Sequence, residues 1–121
     1  MKKIFVIEDN DTNYMLVEEI LSDYKVEVIR AKDGKEFYKK ITTRPVEFDL
    51  ILMDLMLPDT DGITLTKFLI NEKYKIPIVF ISAYTEKCEE IFDLGIEYFI
   101  NKPVLAELFI SIVQKYIELE S

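Results

Sequence analysis

The chain has 121 residues, 50% of them hydrophobic and 31% charged, enough for one domain with a sizeable core and unlike a disordered tail. Its net charge of −8 argues against nucleic acid as a direct ligand, because phosphate backbones need clustered Lys and Arg. Histidine is absent, which excludes a Ser-His-Asp or Cys-His centre, an imidazole zinc site and a phosphohistidine on this chain.

The first element is a strand at 3–8, whose apolar part, Ile4-Phe5-Val6-Ile7, is too short for the apolar region of a signal peptide. It ends in Glu8-Asp9. No later stretch approaches the ~20 apolar residues of a spanning helix, so a cytoplasmic location and no membrane contact are expected. A helix over 11–23 places Val17, Ile20, Leu21 and Tyr24 on one face, with Asp11 or Thr12 as its N-cap. In the second strand, 25–30, Val26-Glu27-Val28-Ile29 partly alternates, as an edge strand does. The helix at 33–42 carries most of the basic cluster Lys32 to Lys40, interrupted by Asp33 and Glu36, which reads as a solvated face.

Leu50-Ile51-Leu52-Met53 forms the core of a third strand, 48–54, ending in Asp54, and a helix follows at 62–73. Pro77 opens the fourth strand, 77–82, where a missing N–H is tolerated, and Ser82 closes it. The next helix, 86–94, ends before Gly95 in the C′ position. It carries the lone Cys88, which has no disulfide partner in the chain and no concentrated positive charge around it, and so reads as an ordinary helix thiol. The fifth strand, 97–101, runs into Asn101-Lys102-Pro103, where the proline restricts Lys102 and allows a cis bond. Leu105, Leu108, Phe109, Ile112, Val113, Tyr116 and Ile117 give the last helix a broad apolar arc, part of it a candidate partner surface.

Five β-α repeats joined by right-handed crossovers imply an α/β fold: a flavodoxin-like (βα)5 three-layer α/β/α sandwich with a five-stranded parallel sheet in the order 2-1-3-4-5. The whole of 1–121 reads as a single domain. The first and third strands then adjoin at the switch point, where open α/β sheets bind ligands, and their tips bring Glu8, Asp9 and Asp54 together. Carboxylates that close repel by roughly 4 kcal/mol per pair at ~4 Å and an effective dielectric near 20, so a cation belongs among them. Mg2+ suits all-oxygen ligands, with the Met56 backbone carbonyl as a further donor. Lys102 is placed to pair with Asp54 and with a phosphoryl oxygen, and Ser82 to donate a hydrogen bond to one.

Four segments together resemble the receiver domain of two-component response regulators, the CheY-like family, over essentially residues 2–119. They are Ile7-Glu8-Asp9-Asn10, Asp49 to Pro58 with Asp61-Gly62, Ile78 to Ala83, and Gly95 to Pro103. The resemblance implies a phosphoacceptor signalling domain rather than an enzyme. Asp54 takes a phosphoryl group from the phosphohistidine of a sensor histidine kinase or a histidine phosphotransfer protein. Asp9, Asp54 and the Met56 carbonyl bind Mg2+ directly, Glu8 acts through water, and Ser82 and Lys102 grip the phosphoryl oxygens. It further implies a switch in which Ser82 moves toward the phosphoryl group and Phe99 turns inward behind it, altering the face made by the fourth helix, fifth strand and fifth helix, where a downstream protein, an output domain or a second copy docks.

Ser82 stands where the family more often has threonine, and Glu8 where it more often has aspartate; both should preserve the reaction. The interval from Ser82 to Lys102 is short for the family, which shortens the fourth helix or its leading loop. Met56 and Tyr84 occupy positions that control water access, and their bulk implies a slowly decaying phosphoryl group. A dehalogenase-type phosphatase would need an aspartate at Met56, and a flavodoxin would need a glycine-rich phosphate loop in place of Asp9-Asn10-Asp11. The remaining alternative is a degenerate receiver that binds partners without phosphorylation. Met1 adjoining the first strand favours a stand-alone regulator over an excised module.

Overall fold

The computed structural model describes residues 1–43, 47–83 and 88–121, apart from the Cys88 side chain. Five strands, β1 (Lys2–Ile7), β2 (Val26–Ala31), β3 (Leu50–Met53), β4 (Ile78–Ser82) and β5 (Phe99–Asn101), alternate with five helices, α1 (Asp11–Leu21), α2 (Gly34–Thr43), α3 (Gly62–Asn71), α4 (Cys88–Asp93) and α5 (Ala106–Val113). All pairings are parallel and the order is β2-β1-β3-β4-β5, as the alternating pattern predicts.

The period of two along each central strand divides the core. Ile4 and Val6 of β1, Leu50 and Leu52 of β3 and Val79 and Ile81 of β4 meet Val17 and Leu21 of α1 and Phe109, Ile112 and Val113 of α5. Their alternates, Phe5, Ile7, Ile51, Met53 and Phe80, pack with Phe37 and Ile41 of α2, Leu65 and Leu69 of α3 and Ile91 of α4. Both faces are therefore covered, which is why the central runs are continuously apolar. On the second face Phe5 stacks on Phe37 and Phe48 with centroids 5.8 and 4.3 Å apart.

Two local expectations are corrected. Asn10, rather than Asp11 or Thr12, caps α1: its backbone is extended and its side chain accepts from the Asn13 N–H at 2.9 Å, while Asp11 is held by Arg30. The regular part of α5 is shorter than its apolar arc, because Lys115 and Tyr116 donate to carbonyls three residues back and tighten the end into turns that still bury Ile117. On that arc Phe109, Ile112 and Val113 are buried, but Leu105 and Leu108 are 66% and 49% exposed. The start of the helix placed at 86–94, and Tyr84, lie outside the described residues.

Gly95 closes α4 with φ +91°, the left-handed residue expected at that end. The end of α3 uses Lys73 at φ +61° for the same purpose, with Tyr74 N–H donating to the Leu69 carbonyl. A side chain in that region is strained by about 1 kcal/mol, partly offset because glycine loses more entropy on folding. Lys73→Gly should therefore stabilise the fold by up to about 1 kcal/mol in urea melts, and any loss of stability would contradict this reading of the turn.

Candidate functional site

Register builds the site. Ile7 is level with Met53, so the next residues, Glu8 and Asp54, leave the sheet side by side. Asp54 N–H donates to the Ile7 carbonyl at 3.0 Å, and Glu8 N–H to the Ala31 carbonyl at 3.0 Å. On the other side Ser82 is level with Asn101, and Lys102 N–H donates to the Ser82 carbonyl at 3.1 Å. The Lys102–Pro103 bond is cis. Glu8, Asp54 and Ser82 are buried, at 4%, 6% and 1% exposure, whereas Asp9 reaches into solvent.

Glu8, Asp9 and Asp54 each bring one carboxylate oxygen within 4.8 Å of the others. The Lys102 ammonium lies 2.6 Å from Glu8 Oε1 and 2.8 Å from Asp54 Oδ2, so one cation bridges two buried carboxylates. Burial and the neighbouring Asp54 charge push the Glu8 carboxyl up to about 7, against the pull of Lys102. Burial works against the charged form of Lys102, but hydrogen bonds to Asp54 and Glu8 outweigh it and raise its pKa. The edge thus holds more negative charge than one lysine neutralises. An all-oxygen donor set in that condition fits a hard divalent cation.

The raised Glu8 pKa has a consequence for stability. The folded, metal-free protein keeps this proton up to about pH 7, whereas the unfolded chain releases it near 4.5. Between those values the folded state binds more protons, so its stability falls as pH rises through the window, by roughly 1 to 3 kcal/mol. Thermal melts in chelator should show this decline, Mg2+ should flatten it, and Glu8→Gln should remove it. An unchanged slope in Glu8→Gln would assign the decline to another group.

The loop after β3 is fixed by close packing. Gly62 N–H donates to the Leu55 carbonyl at 2.7 Å, Asp61 caps α3 by accepting from Thr64 N–H at 2.8 Å, and Asp59 accepts from Gly34 and Lys35 N–H at 2.8 and 3.1 Å, capping α2 from across the chain. The Gly34 donor first, and then that of Lys35, hold the Asp59 carboxyl below its usual range against the opposing effect of burial. Met56 lies in this loop with its side chain 49% exposed. Phe99 is half-buried beside the core formed with α2, α3 and α4, and level with Phe80.

Among the described residues, every sequence-predicted site residue thus lies at the carboxyl edge of the sheet or on the loop beside it, apart from Phe99, which opens β5. Arg30, Asp59 and Gly62 are structural contributors that sequence reasoning gave no such role. Nothing in the strand Val26 to Ala31 set Arg30 apart, since Glu27 interrupts its apolar residues as well.

The response regulator receiver domain family matches residues 4–114. The polar-differentiation response regulator DivK of Brucella anthropi is 32% identical over 120 residues, covering 96% of each chain. The chemotaxis protein CheY4 of Vibrio cholerae is similar in structure, with a TM-score of 0.84 at 27% identity over 97% of this chain and 99% of that one. The non-phosphorylated HemR receiver domain of Leptospira biflexa gives 0.82 at 29% identity, over 100% and 98%.

Proposed function

Because the chain belongs to the response regulator receiver domain family, we propose that Asp54 is its phosphoacceptor, loaded from the phosphohistidine of a sensor histidine kinase or histidine phosphotransfer protein. The observation that carries this reading is Asp54 itself: buried, at the tip of β3, paired with Lys102 at 2.8 Å and within 4.8 Å of two further carboxylates. An Asp54 carboxylate oxygen attacks phosphorus while the phosphorus–nitrogen bond breaks; the imidazole leaves with that electron pair and takes up a proton, and Asp54 becomes an acyl phosphate. Glu8, Asp9, Asp54 and the Met56 carbonyl would hold Mg2+, which when bound supplies positive charge against the phosphoryl oxygens. Lys102 pairs with one of those oxygens as a point charge and Ser82 donates to another. Positioning and charge neutralisation are all that the transfer asks of this chain, which supplies the acceptor and carries no histidine of its own.

Ser82 and Phe99 form the switch in this reading, and the half-buried position of Phe99 supports it, since the ring is not fully enclosed. Phe92 of α4 and Leu105 and Leu108 by α5 are 48%, 66% and 49% exposed, apolar side chains available to a downstream protein, an output domain or a second copy. Residues 1–121 act as one cytoplasmic receiver domain. Among the described residues no helix is long and apolar enough to cross a membrane.

Incubation with acetyl phosphate, read by intact mass, tests the assignment. The wild type should gain one phosphoryl mass only with Mg2+, Asp54→Asn should gain none, and Asp49→Asn should behave as wild type, since Asp49 accepts from Lys3 N–H at the opposite end of the sheet. Equal labelling of the two variants refutes it.

A further inference from the structure

We propose that Arg30 is the positioning residue of the turn between β1 and α1, holding Glu8 and Asp9 at the spacing a divalent cation requires; this rests on the reading of that edge as a Mg2+ site. Arg30 lies near the end of the edge strand β2, level with Val6, and its side chain is only 16% exposed. Its Nε donates to the Glu8 carbonyl at 3.0 Å and its Nη1 lies 2.8 Å from the Asp11 carboxylate. One planar group therefore grips the chain on both sides of Asp9. The guanidinium carbon also sits 4.5 Å from the centre of the Tyr14 ring, so the first turn of α1 stacks on the same group. The Arg30 carbonyl in turn accepts from Lys40 Nζ of α2, which ties the clamp to the next layer.

Such a clamp is needed because the carboxylates of Glu8, Asp9 and Asp54 repel, and the turn bearing Asp9 is the movable partner: Asp54 is fixed in the core, whereas Asp9 is exposed. A lysine at position 30 would keep the charge but lose the fork that makes both contacts. The two roles open to Arg30 predict opposite signs. As a charge alone it opposes a second cation and weakens Mg2+ binding; as a clamp it keeps the ligands assembled and strengthens it.

Calorimetric titration of the full chain with Mg2+ alone separates them. Arg30→Lys and Arg30→Met should both bind roughly 10- to 100-fold more weakly, the range seen when groups that orient metal ligands are removed. Tyr14→Leu, which leaves the net charge unchanged and keeps an apolar side chain against the core, should weaken binding in the same direction. Arg30→Met binding as tightly as wild type or tighter overturns the proposal, as does a fall in thermal midpoint with Mg2+ affinity unchanged in all three variants. Failure of the underlying site reading is distinguishable, because wild type and Asp9→Asn would then give the same isotherm.

Discussion

Replacing Gly62 by alanine is expected to destabilise the protein by about 3 kcal/mol, the upper end of what overpacking costs, or to prevent folding. A Cβ there would lie 2.3 Å from the Asp54 carbonyl oxygen, 2.8 Å from Met53 Cγ and 2.9 Å from Phe80 Cε2. The nearest obstacle is backbone and cannot rotate away, so either α3 or the tip of β3 must move. Gly34 is the internal comparison: its closest obstacle, Thr60 Cγ2 at 2.6 Å, is the end of a side chain that can turn, so Gly34→Ala should cost clearly less. Because the shifted atom belongs to Asp54, folded Gly62→Ala protein should also be phosphorylated more slowly, by on the order of 100-fold for a displacement near 1 Å. Urea melts and acetyl phosphate labelling read the two effects separately. Equal stability of the two alanine variants would show that the contact at Asp54 relaxes freely.

Lys102→Met should show the second large effect, and its size should depend on pH. At pH 8 the variant leaves two buried carboxylates, Glu8 and Asp54, without the ammonium that bridges them at 2.6 and 2.8 Å. Breaking such a pair costs about 3 kcal/mol or more. At lower pH the Glu8 carboxyl, whose pKa is already raised to about 7 with Lys102 in place, takes up a proton instead, and the loss should shrink to about 1 kcal/mol at pH 5. The sign follows from the groups concerned: without the hydrogen bond and charge of Lys102, which lower the Glu8 pKa, the folded state binds its proton more tightly and stability falls further as pH rises. Adding Glu8→Gln to the variant should restore most of the stability at pH 8. A loss independent of pH would mean that Lys102 matters through packing alone.

What could be read from the sequence, and what could not, divides by range of interaction. The strand order and the gathering of Glu8, Asp9, Asp54, Ser82 and Lys102 were legible because apolar runs with polar ends map directly onto a parallel sheet and its carboxyl edge. Gly95 was legible because a left-handed helix terminus has few chemical solutions. Asn10 was missed as the cap of α1 because Asp11 is as good a cap by composition; the choice is made by Arg30, 19 positions further on, which takes the Asp11 carboxylate. Asp59 was missed because it caps a helix that begins 25 residues earlier, while capping signals are sought beside the helix they serve. Gly62 was noticed as part of a motif, but the reason for glycine is the Asp54 carbonyl packed against it.

The central claim is that this acidic edge makes one carboxylate the acceptor of a phosphoryl group. After incubation with acetyl phosphate and Mg2+, borohydride reduction followed by peptide mass analysis tests it most directly, because an acyl phosphate is converted in place to the corresponding alcohol. Homoserine is expected at position 54, with Glu8, Asp9 and Asp49 intact. Reduction at any of those three, or phosphorylated protein with Asp54 unreduced, would contradict it.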